Sequence, residues 1–120
     1  LPNDQLLSVS QLAKRLGVSI AQIEQVVTAR IAAPDAKGRF DARTAQVVRL
    51  ALEISKRGIP LRKLRSVSMA ADREAELISS TARLHTRGAG QDSCALGLEI
   101  AQLVSALHTT LLEKAVASDC

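Results

Sequence analysis

Phe40 is the one aromatic side chain in 120 residues; there is no Trp and no Tyr. Sandwiches and barrels rely on aromatic and β-branched side chains between their sheets. A core limited to Ala, Leu, Ile and Val suits packed helices better. The same poverty excludes a single-strand nucleic-acid binder that stacks bases, since stacking needs aromatic platforms. Apolar residues at 47% and charged residues at 23% exclude a disordered chain and give the balance of a soluble globular one. The length corresponds to about one domain of the usual size. No run reaches the roughly 18–20 apolar residues of a bilayer span, which argues against a membrane partner. Cys94 and Cys120 are too few to staple a fold and point to a reducing, cytoplasmic setting. The chain opens on Leu1-Pro2-Asn3 rather than Met, without a signal peptide, and reads as a segment of a longer protein.

Punctuation along the chain predicts a series of helices. Ser8 or Ser10 caps a short helix that Gly17 closes. Ser19 caps a second, whose apolar face is Ile20, Ile23, Val26 and Val27. Two short helices about a Gly-Val-Ser turn form a helix-turn-helix pattern. Residues 32–41, broken by Pro34 and Gly38, fit a wing of two short strands about a tight turn. Asp41 caps a helix over 42–57 with Ala45, Val48 and Leu52 inward, and Leu50 and Ile54 beside them. Gly58 and Pro60 end it, and a short fourth helix starts at Pro60.

Beyond Ser68 the pattern changes. A helix over 70–84 carries an apolar stripe of Ala71, Ala75, Leu77, Ile78 and Ala82. Gly88-Ala89-Gly90 is the clearest loop, and a last helix runs over 92–116. Its residues Leu96, Ile100, Leu103, Leu107 and Leu111 fall at spacings of 4, 3, 4 and 4, a heptad-like seam. Ala101, Val104 and Leu112 form a second strip beside it. A helix this broadly apolar needs cover on more than one side, and a second copy of the chain supplies it most simply. The five seam residues are therefore the candidate interface of a homodimer. The architecture expected is mainly α: a degenerate winged helix-turn-helix with a small β wing over 6–67, then a long helical hairpin over 68–120, within one domain.

Charge is placed unevenly. In residues 1–65 twelve Lys/Arg against five Asp/Glu leave +7, whereas in 66–120 four against seven leave −3. A first half facing a polyanion and a second half meeting protein accounts for this, as does a basic surface kept for solubility.

The order of these elements resembles the winged-helix module of MerR-family transcription regulators. The residues that carry the likeness are Ser8 to Ser19, then Gly38-Arg39-Phe40-Asp41, Val47-Val48-Arg49-Leu50, and Gly58 to Arg65. The stretches Ala70 to Ile78 and Leu107 to Leu112 resemble the C-terminal half of the FtsR-type MerR regulators of actinobacteria. Those proteins have two MerR-like modules in tandem. The resemblance implies that this chain is the second module, a C-terminal dimerisation and regulatory domain. DNA would then be held mainly through an upstream domain, and an effector would act through a pocket between winged part and hairpin. It also implies phosphate contacts from the first helix, the loop after the second and the wing, which nominates Lys14, Arg15, Arg30, Lys37 and Arg39. Against direct reading of DNA, Ile20 to Val27 holds no Arg and no aromatic, and it carries Glu24. Two other roles fit the same residues: a second DNA-binding module touching the operator directly, and a protein-interaction adaptor.

No chemistry is expected. His85, His108, Cys94 and Cys120 lack metal-ligand spacing. Asp72 and Glu76 share a helix face but suit a solvated helix start better than acid–base work. There is no Gly-x-Ser-x-Gly and no phosphate-cradling glycine loop. The sequence thus predicts a non-enzyme without metal or cofactor.

Overall fold

The computed structural model describes residues 5–88 and 92–120, so the start at Leu1-Pro2-Asn3 and the Ala89-Gly90 part of the expected loop lie outside the described residues. The elements in order are β1 (Leu7–Ser8), α1 (Val9–Leu16), α2 (Ile20–Thr28), β2 (Arg39–Phe40), α3 (Ala42–Lys56), α4 (Leu61–His85) and α5 (Ser93–Asp119). The protein is mainly helical with one small sheet, as the sequence predicts.

Two capping boxes set the helix-turn-helix. The Ser8 hydroxyl accepts from the Gln11 amide at 3.2 Å while the Gln11 side chain accepts from the Ser8 amide at 2.9 Å. Ser19 and Gln22 repeat the arrangement at 3.1 and 2.9 Å. Each box satisfies two helix-end donors that would otherwise lack partners. Between them Gly17 takes the left-handed conformation, φ 68°, and the Val18 amide donates back to the Ala13 carbonyl at 3.0 Å. The end of α2 uses the same device with a side chain present: Arg30 sits at φ 62° and the Ile31 amide donates to Val26. That conformation is unfavourable for any residue with a Cβ.

The wing differs from the expected hairpin. β2 pairs antiparallel with β1, Leu7 opposite Phe40 and Ser8 opposite Arg39, rather than with a second strand of its own. The turn before it is held by Asp35, whose carboxylate accepts from the Lys37 and Arg39 amides, both at 2.9 Å. Phe40 is thereby carried into a core of Leu7, Leu12, Ile23, Val26, Val48 and Leu64. The lone aromatic fills the centre of the winged part.

Two expectations about helices need correction. Leu50 and Ile54 do not face inward; they are 45% and 38% exposed. Helix geometry gives the reason: at 100° per residue Ala45, Val48 and Leu52 share one face, and Val47, Leu50 and Ile54 lie together on another. The short fourth helix and the helix over 70–84 are one continuous α4 of 25 residues. No Gly or Pro interrupts 61–87. Ser66, close to the expected break at Ser68, donates its hydroxyl to the Lys63 carbonyl at 3.0 Å and stays within the helix.

Packing divides the chain into two compact units, one ending at Met69 and the other spanning Ala70–Cys120. In the second unit, α5 runs antiparallel to the last turns of α4, with Ala82 opposite Gly97 and Ala75 and Ile78 opposite Ala101. The association is thin. Ala82 and Thr86 are the buried residues of this unit among those described, and α5 contributes none.

Candidate functional site

The five basic candidates occupy the first unit in dissimilar settings. Lys14 and Arg15 are exposed in the last turn of α1, where cations complement the negative end of the helix dipole. Lys37 is exposed in the wing turn. Arg39 is committed to its neighbour, its guanidinium 3.3 Å from the Asp35 carboxylate. The Arg39 amide hydrogen bond, more than the ion pair, holds the Asp35 carboxyl below its ordinary value. Arg30 is the residue held at positive φ.

The outward face of α2, which would enter a major groove in a winged fold, consists of Ala21, Gln22, Glu24, Gln25 and Thr28. It carries one negative charge and no cation. Glu24 and Thr28 edge an open groove of about 360 Å³ between α2 and the wing, floored by Ile23, Val27 and Phe40.

The five candidate interface leucines and isoleucine divide. Leu96 and Ile100 are half-buried. Leu103, Leu107 and Leu111 stand 67%, 59% and 55% exposed. In the second strip Ala101 and Val104 are half-buried and Leu112 is exposed. Leu98 and Val116 join Leu112 on the same exposed flank, and Leu77 and Leu84 are exposed on α4. Sequence spacing placed Leu77 in the stripe of the first long helix, where the structure leaves it exposed, and passed over Leu98 and Val116, which a helical wheel drawn for two flanks rather than one seam would have found. By length and composition α5 could cross a bilayer, with a mean hydropathy of 1.3 over its most apolar window. Its strip of Gln102, Thr109 and Glu113 makes it two-faced instead, as a helix half-covered by protein would be.

A groove of about 510 Å³ runs between α4 and α5, lined by Ala75, Ile78, Leu98 and Ala101, with Arg83 and Cys94 at one end. Cys94 and Cys120 are exposed free thiols. Among the described residues no group of three His, Cys, Asp or Glu side chains could hold a metal ion.

These features fit what comparison with known proteins finds. Two curated proteins are similar, an uncharacterized HTH-type transcriptional regulator of Mycobacterium bovis and one of Mycobacterium tuberculosis. Each is 29% identical over 114 residues, a match that covers 92% of this chain and 46% of the relative. The chain therefore spans about half the length of the curated relatives it matches. A family model described as the Rv1828-like C-terminal domain matches residues 5–119, from two residues before β1 to the last residue of α5. With the match running through the helix-turn-helix, the wing and both long helices, the chain belongs to the Rv1828-like C-terminal domain family.

Proposed function

We propose that this chain is the pairing and regulatory domain of a bacterial HTH-type transcription regulator of MerR type. It joins two copies through α5 and the end of α4, and so sets the spacing of two DNA-reading modules that lie elsewhere in the full regulator. Half-sites on DNA are read at fixed separations, so the geometry of the pairing domain is itself a determinant of binding. The relatives' description as transcriptional regulators supports the setting, a cytoplasmic one without enzymatic chemistry. The observation that carries the reading is α5: a 27-residue helix with no buried residue, exposing Leu98, Leu103, Leu107, Leu111, Leu112 and Val116. Leu103, Leu107 and Leu111 form one exposed flank and Leu98, Leu112 and Val116 the other, and monomers seldom leave so much apolar surface in water. A two-fold pairing covers it with the same surface of a second copy. The groove between α4 and α5 gives an effector a place from which to alter that pairing.

Sedimentation of the protein at tens of micromolar tests the proposal. The expected species has twice the 12.8 kDa chain mass. A monomer at that concentration would remove the pairing function.

A further inference from the structure

Three cations stand where the fold gains nothing from them. Residues 54–71 hold Lys56, Arg57, Arg62, Lys63 and Arg65 and not one acid. Lys56, in the last turn of α3, complements the helix dipole, as Lys14 and Arg15 do on α1. Arg57 is bonded to the Glu53 carboxylate at 2.7 Å and to its carbonyl at 2.8 Å. Arg62, Lys63 and Arg65 have neither excuse. They occupy the opening of the 25-residue α4, whose first turn has no acid, and all three are exposed. The ion pairs among the described residues, Arg39–Asp35 and Arg57–Glu53, include none of them.

A helix N-terminus presents the positive end of its aligned amides, so cations there oppose the dipole and destabilise the helix. Solubility does not require this arrangement, because acids at the same positions would serve it and stabilise α4. An external polyanion does account for it. Three side chains leave one turn in different directions, within 4.5 Å along the axis by the rise per residue, and so can meet successive phosphates of one strand. Glu24 marks the limit of the patch, since it shares with Arg62 the walls of a groove between α2 and the start of α4.

We infer that the opening of α4 is a phosphate grip: Arg62, Lys63 and Arg65 hold the backbone of duplex DNA without reading its sequence, while α2 stays out of the groove. The inference rests on the chain's being part of a DNA-binding regulator, but not on its pairing.

The test is fluorescence anisotropy of the 120-residue protein on a labelled duplex of arbitrary sequence, from about 50 to 200 mM salt. Each phosphate contact contributes about 0.9 to the slope of log K against log salt. The variant R62Q/K63Q/R65Q should lower that slope by about 2.7, so that wild-type affinity falls roughly 40-fold more than the variant's over this range. The variant should also melt no earlier than wild type, since it loses only cations that oppose the dipole. An unchanged slope, or no duplex binding by wild type at 50 mM salt, overturns the proposal. Displacement of the duplex by polyglutamate at equal charge overturns it in favour of an acidic protein partner. Earlier melting overturns it by assigning the cations to the fold. Sedimentation of the same variant reads the pairing separately, so failure of one idea is not mistaken for failure of the other.

Discussion

Leu107→Asp separates association from folding. Leu107 is 59% exposed in the single chain, so a charge there meets water and leaves the fold intact. In a pair the same side chain is covered. Full burial of a leucine is worth about 1.5–3 kcal/mol, so covering the exposed 59% contributes roughly 0.9–1.8 kcal/mol. Two-fold symmetry doubles this to roughly 2–4 kcal/mol for each site, or about 30- to 700-fold in Kd. The aspartate adds two carboxylates that must be desolvated if the pair is to form, so this range is a floor. Sedimentation across a concentration series should show the variant as a monomer where wild type is paired, with an unchanged circular dichroism spectrum and a melting temperature that no longer depends on concentration. Val48→Asp is the contrasting control: Val48 is fully buried in the winged part, and its variant should unfold. A Leu107→Asp protein that still pairs at wild-type affinity would refute the reasoning, because a pairing through the flank of Leu103, Leu107 and Leu111 covers this residue. Unfolding of the variant would refute it from the other side by showing that Leu107 serves one chain's own core.

Other changes test the local physics. Gly97→Ala should stabilise the protein by about 1 kcal/mol in thermal denaturation, since the new Cβ would meet the Ala82 Cβ at an ordinary 3.8 Å and glycine is a poor helix former. Arg30→Gly should raise the melting temperature, the left-handed φ of 62° being relieved by up to about 1 kcal/mol after glycine's own entropy is set against it. Acid should weaken the fold. Asp35, Asp41 and Glu53 are held below their ordinary values by the Arg39 amide, the Thr44 amide and the Arg57 side chain respectively. A depressed folded pKa gives stability that is present above the unfolded value and lost as pH falls through the folded one, so melting temperature should decline below about pH 4. Replacing both Cys94 and Cys120 with Ser should leave melting and sedimentation unchanged, because both are exposed free thiols.

The winged part was legible because its signals are local. Ser8, Gly17, Ser19 and Asp41 act within a few residues of themselves, and each helix end they predict is found. What escaped is non-local. The partner of β2 is β1, more than thirty residues earlier, and nothing in the turn around Gly38 announces that pairing. Arg30 escaped for a related reason: a left-handed helix end is read from glycine, and here the backbone adopts it with an arginine in place. Continuity of α4 was hidden by the change of pattern beyond Ser68, yet serines here stay within the helix, Ser66 bonding back to the Lys63 carbonyl.

The same lesson applies to the functional surfaces. Candidate cations were chosen for where a winged fold meets DNA, and three of the five have structural roles of their own: Lys14 and Arg15 complement the end of α1, and Arg39 secures the wing turn. Cations without such a role were passed over because a break placed near Ser68 made Pro60–Arg65 look like a short, separate fourth helix. Once α4 is continuous, those residues become the start of a long helix, and their sign becomes anomalous. The anomaly needs both kinds of information. Sequence supplies eighteen residues without an acid, and the structure supplies the helix direction that makes the cations unfavourable. For α5 the order is reversed. Its heptad-like spacing was plain in the sequence, but that none of its residues is buried is seen only in the structure, and this is what supports the proposed pairing.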